Sequence, residues 1–527
     1  MYRLHTLHWI IYGISLTVLA GCKDLPLEME QERPVEPVEE MGSSGPDEID
    51  EPELTEVDQA LIARINQMGL NQHPQRTLPN IADPLPQLGM ELFFSKSLGG
   101  DFDSACVSCH HPLLGGSDGL SMPVGTGAVN PDVLGLGRVH NTGEPNVPRN
   151  APTVFNAGLW DRGLFHDSRV ESLNFVAGSN GAIGTIRTPD SEFGSADSQA
   201  GSNLVEAQAR FPVTSSVEMK GDTFEADGDG DDIRDHLAAR IGNYGIGENE
   251  LDHQAWLAKF QAAFGVNSSA EDLITYAKIG EAIGEYERSM VFVNHPWQQY
   301  MDGDTTALSE EAKAGALLFF TPPNQGGAGC VACHSGQLFS DEQHHVVAFP
   351  QIGFGVGDGD TADDDFGRER ETGNRNDRYH FRTASLLNLA VTAPYGHSGS
   401  FNDLQQVVRH YVNPQRSIQR HFDDNNPTGL NEMCRLPQLQ TMEDCDSLYP
   451  NAQTNSEAAL AQLQSELQAG TSRFPRGLNL DNTQVNQLVA FLEALTDPCV
   501  LDESCLADWI PDESDAIDEH QLNAIIR

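Results

Sequence analysis

Two short runs carry the chemistry of this chain: Cys106-Val107-Ser108-Cys109-His110 and Cys330-Val331-Ala332-Cys333-His334. A Cys-x-x-Cys-His run offers two thiols that can add to the vinyl groups of a porphyrin, and an imidazole held directly beneath its iron. The same spacing could serve a redox dithiol or half of a zinc site. Two copies, each with His at once after the second Cys, argue for two covalent c-type haems with His110 and His334 as proximal ligands. The adjacent His111 is read as a surface residue rather than a ligand.

The elements that must position these runs repeat as well. "LGMELFF" (88–94) precedes the first and "AGALLFF" (314–320) the second. Each reads as a short amphipathic helix, a Gly-containing loop and then the motif, which suggests duplication. Apolar residues at three-to-four spacing (Leu273, Tyr276, Ala277, Ile279, Ile283, Tyr286) predict a helix within 269–293. Ser309 is a plausible N-cap for another, and 403–411 and 483–495 read as helical too. Strand signals are few. The stretches 115–150, 175–205 and 321–380 are rich in Gly, Asp and Asn and read as loops, around which the haems could supply the missing core. The fold expected is mainly α: two cytochrome c-like haem domains with long loops and little β structure.

Bulk properties narrow the partners. The 527 residues carry 78 Asp and Glu against 31 Lys and Arg, a net charge of −47. Such a chain repels nucleic acid and anionic lipid headgroups and attracts basic proteins, small electron carriers among them; solubility alone is the alternative explanation. Near the N-terminus, Arg3 is followed by an apolar run from Trp9 to Ala20, too short for a comfortable membrane span. It ends in Leu19-Ala20-Gly21-Cys22, which resembles the lipobox of bacterial lipoproteins. Residues 1–21 are therefore expected to be a signal peptide and Cys22 to carry a lipid, with ordinary signal cleavage as the alternative. Residues 22–60 read as an acidic disordered tether. The chain is expected to be exported, on the periplasmic side, anchored to a bacterial membrane. Disulfides are the default in that compartment, and pairing by proximity gives Cys434–Cys445 and Cys499–Cys505. Two acidic runs, "DGDGDD" (227–232) and "GDGDTADDD" (357–365), read as solvated loops. Neither matches an EF-hand: the first lacks the Gly at its sixth position and has Ala238 at its twelfth, where a Glu is needed.

The chain resembles the di-haem cytochrome c peroxidase and MauG superfamily from about Leu88 to Pro498. In the first half the likeness rests on "LGMELFF", "CVSCHHP", "RNAPTVFN" (149–156), "LFHDSR" (164–169) and "VTSSVEM" (213–219). In the second it rests on "CVACH", "FRTASLLNLAVTAPYGHSGSF" (381–401), "LQQVVRHY" (404–411) and "LVAFLEALTDP" (488–498). The resemblance implies a peroxidatic N-terminal haem domain (61–265), an electron-transfer C-terminal haem domain (266–498) and a C-terminal tail (499–527).

It also implies roles for residues. Glu218 matches the carboxylate over the peroxidatic haem, which can move a proton between the two oxygens of peroxide. Gln208 matches a residue that helps orient peroxide. His166 stands where the family often has a Trp between its haems, so it is either a relay or merely hydrogen-bonded. Thr126 matches the position of a His that blocks the first iron in some relatives, and Thr is a poor ligand, so that iron is expected to be open. Tyr411 replaces the Met that peroxidases of the family usually offer the second iron, as in MauG-type enzymes. The alternative is that Tyr411 packs in the core while His410, Met433 or water binds there. Asn150, Thr392 and Pro394 match the ligands of a calcium between the domains, an oxygen-donor set suited to that hard cation.

The expected function is reduction of hydrogen peroxide with electrons from a small exported cytochrome c or cupredoxin. One alternative is a MauG-like enzyme that oxidises residues of a partner protein, favoured by Tyr411 and Thr126. Another is a non-enzymatic di-haem electron carrier, which Glu218 argues against. The sequence does not decide whether the chain forms a homodimer.

Overall fold

A computed structural model describes residues 54–68, 70, 76–252, 255–423, 433–440, 442, 445–512 and 516–522. The expected signal peptide, Cys22 and the tether up to residue 53 lie outside the described residues. The tether's expected end at 60 is too late. Glu56–Met68 is a helix, because Leu61 and Ile65 bury their side chains. Asp58 anchors it, accepting a hydrogen bond from Tyr300 Oη at 2.9 Å and pairing with Lys313 at 3.0 Å.

The expected duplication is geometrical. Helix Pro84–Phe93 packs on helix Tyr276–Ser289, and helix Glu310–Phe320 packs on helix Asn482–Glu493. The repeated "LGMELFF" and "AGALLFF" segments each put a glycine at the crossing. A Cβ at Gly89 would lie 1.9 Å from the carbonyl oxygen of Ala282, and one at Gly315 would lie 1.8 Å from that of Gln487. Only glycine lets the paired backbones approach so closely.

Each pair founds a core, but the chain does not divide between them at 265/266 as expected. Leu92, Phe93 and Val107 share one cluster with Ile279, Ile283 and Tyr286, and also with Val500, Leu506, Ile517 and Leu522. Leu61, Ile65, Leu164 and Leu204 join Phe319, Phe320 and Phe491 in the other. The helix Tyr276–Ser289 thus belongs with the first motif, because its apolar stripe is buried against Pro84–Phe93. Residues 499–522 are likewise more than a tail. Leu522 N donates to Phe94 O at 2.9 Å, Trp256 Nε1 donates to Asp518 at 2.9 Å, and Ser97 Oγ donates to Asp518 at 2.8 Å. The bonds Cys434–Cys445 and Cys499–Cys505 are both present.

Helices dominate and β structure is sparse. Strands Gly163–Leu164, Val170–Ser172 and Ile186–Arg187 form an antiparallel sheet, with Gly163 opposite Glu171 and Glu171 opposite Arg187. His344–His345 pairs with Phe381–Arg382. The long loops are pinned by buried charge. The Arg138 guanidinium donates to the carbonyls of Asp103, Val124, Gly125, Pro131 and Val133. The two acidic runs are not merely solvated. Asp229 caps helix Gly230–Gly242, accepting from Asp231 N and Asp232 N. Asp365 is buried in an ion pair with Arg149, at 2.7 Å. Among the described residues no helix is long and apolar enough to cross a membrane.

Candidate functional site

Both Cys-x-x-Cys-His runs open as one 3-10 turn, Cys106–Ser108 and Cys330–Ala332. In each, the His amide donates to the carbonyl of the first Cys, at 3.0 Å for His110 and 2.9 Å for His334. That turn gathers both thiols and the imidazole on a short arc. Each ring is then oriented by a second bond. His110 Nδ1 lies 3.2 Å from Gly116 O, and His334 Nδ1 lies 2.9 Å from Phe339 O. A proton on Nδ1 donated to a carbonyl leaves the Nε2 lone pair for a metal. Burial keeps both imidazoles neutral, pulling His110 down to about 4 and lowering His334 as well.

The four thiols are unbridged. Burial pushes Cys106 and Cys330 up to about 12. A redox dithiol needs the opposite, a lowered pKa that exposes thiolate. The pairs therefore suit thioether attachment better than disulfide exchange. Cys333 also lies near Asp341 and His345, close enough for all three to share an ion. His345 Nε2 already contacts Asp341 at 2.9 Å, and Cys333 belongs to the attachment pair.

The second motif opens on a cavity of about 300 Å³. Cys330, Cys333 and His334 line it together with Tyr411, Leu404, Val408, Leu488 and Leu492. The mostly apolar wall, with an imidazole and a phenol among its lining residues, fits a haem. Tyr411 comes from helix Leu404–Val412. Burial and the neighbouring Cys333 and Cys330 raise its pKa, so phenolate binding would need the field of a metal ion. His410, its neighbour, donates Nε2 to Val347 O at 2.8 Å, and Met433 packs in a separate cluster with Met122. Arg382 also borders the cavity and was missed in the sequence. It stacks 3.6 Å over Trp160, and one of its guanidinium nitrogens is buried without a hydrogen-bond partner. Its Nε donates to Phe165 O at 3.0 Å, and the one nitrogen left without a partner at this cavity suits a propionate.

Glu218 lies on the side of the first motif, in the turn Ser216–Lys220, and its charge reaches Cys109. Burial raises its pKa, against the opposing fields of Arg169 and Arg149. Thr126 is its immediate support. Its hydroxyl donates to Ser216 O at 2.9 Å and its amide to Val217 O at 3.1 Å. Gln208, at the end of helix Leu204–Gln208, borders the His334 cavity, as does His166. His166 Nε2 donates to Asn150 O at 2.9 Å, and burial keeps its ring neutral, at about 3. His111 is buried, not at the surface. Its Nδ1 accepts from Leu113 N at 3.0 Å, which caps the turn Pro112–Leu114 beside His110.

Between the two motifs, Asn150 Nδ2 donates to Pro394 O at 2.7 Å and approaches Gly396 O at 3.3 Å, while Asn150 Oδ1 is buried without a partner. A half-turn of that amide would set three oxygens facing one another, which a hard cation satisfies. Thr392 borders the same cavity. Beside this group Arg149 bridges Asp167, at 2.5 Å, and Asp365, at 2.7 Å, all three buried.

Residues 84–306 match the family model described as di-haem cytochrome c peroxidase. The chain is 29% identical to the methylamine utilization protein MauG of Methylorubrum extorquens over 357 residues, 67% of this chain and 75% of that protein. It is 26% identical to the MauG of Methylophilus methylotrophus over 361 residues, 68% and 78% of the two chains. It is 27% identical to the cytochrome c551 peroxidase of Pseudomonas aeruginosa over 348 residues, 65% and 76% of the two chains. The di-haem cytochrome c peroxidase model thus covers residues 84–306, and along about two thirds of its length the chain is similar both to MauG proteins and to cytochrome c peroxidases.

Proposed function

We propose that the chain reduces hydrogen peroxide to water with electrons from a small, basic, exported cytochrome c or cupredoxin. When bound, the two haems supply the metal at which peroxide is cleaved and the store for the electrons that cleavage consumes. Cys106, Cys109 and His110 would hold the first, and Cys330, Cys333, His334 and Tyr411 the second. Relatives named as cytochrome c peroxidases support the reaction class.

The observation that carries the reading is Glu218, a carboxylate on the side of the first motif whose pKa burial raises above its ordinary value. Glu218 takes a proton from one peroxide oxygen and delivers it to the other, and a raised pKa suits both halves of that task. Gln208, which borders the His334 cavity, is assigned to orienting the peroxide by resemblance alone. Arg169 and Arg149 set the field at the carboxylate, and Arg382 would pair with a haem propionate. His166, which borders the His334 cavity, is the candidate relay. Asn150, Thr392 and Pro394 hold a calcium, which joins the two halves. A lipid on Cys22 keeps the molecule at a membrane, and the charge of −47 draws in the donor.

Glu218→Gln tests this reading. We expect the rate with peroxide to fall about 10²- to 10³-fold, with the haem content unchanged. In the parent protein the rate should fall as pH drops through the folded pKa of Glu218, which lies above the ordinary 4.5. That acid limb should be absent in the variant. A Gln variant with the parent rate and the parent pH profile contradicts the assignment.

The lining of the second cavity by Tyr411 favours a second reading, in which peroxide is used to oxidise residues of a partner protein. Mixing reduced cytochrome c with protein and peroxide separates the two. Rapid donor oxidation supports the first. Slow donor oxidation, with a modified partner protein, supports the second.

A further inference from the structure

The segment that supports Glu218 is gripped at both ends, and one grip comes from the distant second half of the chain. Met122 is fully buried among Ile352, Leu436, Leu439, Cys434 and Cys445. The Gln438 amide reads both of its backbone groups: Met122 N donates to Gln438 Oε1 at 3.0 Å, and Gln438 Nε2 donates to Met122 O at 2.6 Å. The flanking space is closed. A Cβ at Gly353 would lie 2.2 Å from Met122 Sδ, and one at Gly399 would lie 2.5 Å from Ser121 Cα.

At the other end, Arg138 donates to Val124 O at 2.6 Å and to Gly125 O at 2.7 Å. Between the grips, Thr126 is bonded to Ser216 O and Val217 O, and a Cβ at Gly125 would meet Glu218 Cα at 2.8 Å. Residues 122–126 therefore form the wall against which the Glu218 turn is built. The stretch that carries Gln438 is itself closed by Cys434–Cys445.

We propose that Gln438 is a positioning residue for Glu218, acting through Met122 and Thr126, and that the Cys434–Cys445 bond keeps it in place, so the peroxide site depends on a disulfide of the other half. This rests on the reading of Glu218 given above. Gln438 touches no reacting atom. Its two bonds fix the register of residues 122–126, and a carboxylate displaced by a fraction of an ångström loses its alignment with peroxide. Loss of the disulfide frees the Gln438 segment and loosens the same wall.

The test uses the di-haem protein in five forms: parent, Gln438→Met, Gln438→Glu, Cys434→Ser with Cys445→Ser, and Glu218→Gln. Gln438→Met keeps the side-chain length and removes both hydrogen bonds. Gln438→Glu keeps the acceptor for Met122 N. Two quantities are read: amide exchange in residues 122–126 and 216–219, and the second-order rate with hydrogen peroxide.

In Gln438→Met and in the double Ser variant we expect exchange in both segments to quicken about tenfold and the peroxide rate to fall about tenfold. Exchange in helix Asn482–Glu493 should stay at the parent value, and Gln438→Glu, which keeps the acceptor but sets a carboxylate oxygen against Met122 O, should recover neither loss. Parent-like exchange in 216–219 in Gln438→Met overturns the proposal. So does quickened exchange with a parent-like peroxide rate, when Glu218→Gln has lost that rate. A Glu218→Gln protein with the full rate overturns the assignment of the carboxylate, and this proposal with it. The exchange data distinguish that failure from a failure of the grip alone.

Discussion

At the residue scale the site is a set of groups whose states are fixed by their second partners. His110 and His334 each lend Nδ1 to a carbonyl, so the tautomer needed for a metal is chosen by the fold. These residues were legible because the motif is local: thiols and imidazole lie within five positions. Glu218 and Tyr411 were legible only through resemblance. Arg138 and Gln438 were not legible at all. Their partners are backbone carbonyls and amides, which no residue type advertises, and Gln438 lies 316 residues from Met122. His111 was misread because a polar side chain beside a motif looks exposed, whereas its ring caps a buried turn. Tyr411 carries a prediction of its own. In Tyr411→Phe the absorption spectrum of the second haem should change and its reduction potential rise, since an anionic oxygen donor that favours oxidised iron is lost. A spectrum and potential equal to the parent's would show that Tyr411 packs beside the haem without binding it.

At the element scale the molecule is two glycine-mediated helix crossings, each feeding one motif. The repeated sequence segments revealed the duplication, and the periodicity over 269–293 revealed the helix Tyr276–Ser289. Its partner was not apparent, because an apolar stripe does not name the surface it will cover. That is why the boundary expected at 265 fell on the wrong side of this helix. The C-terminal segment misled for the same reason: Val500, Leu506, Ile517 and Leu522 are too sparse to show a period, yet all four are buried. The crossings are testable. In Gly315→Ala the new methyl meets the Gln487 carbonyl oxygen. The helices Glu310–Phe320 and Asn482–Glu493 must then part, at a cost of about 1–3 kcal/mol. Urea unfolding of the di-haem protein reads the loss, and an unchanged midpoint would show that the crossing has slack.

At the scale of the whole molecule, the two halves are joined by buried charge. Arg149 pairs with Asp167 and with Asp365, from the acidic run 357–365; without that cation Asp365 would be buried uncompensated and Asp167 left to Arg169, 3.5 Å away. The Arg149 field holds both Asp167 and Asp365 below the ordinary carboxylate range. Composition alone pictured that run as solvated; the ion pair could be found only once the chain had brought residues 216 positions apart together. Arg149→Gln should therefore destabilise the protein by about 3–5 kcal/mol at neutral pH, because Asp365 is left buried without its cation and Asp167 keeps only the longer contact to Arg169, at 3.5 Å. The deficit should shrink as pH falls and the two carboxyls are protonated. Thermal unfolding at pH 7 and pH 4 checks this, and an equal deficit at both would point to lost packing rather than lost charge.

On the proposed function, the chain binds two haems and leaves the first open to peroxide beside Glu218. The most direct measurement is the absorption and electron paramagnetic resonance spectrum of the resting ferric protein, before and after one equivalent of hydrogen peroxide. A high-spin signal from the haem on His110, lost at once on addition, is expected. Two low-spin haems with spectra unmoved by peroxide would contradict it.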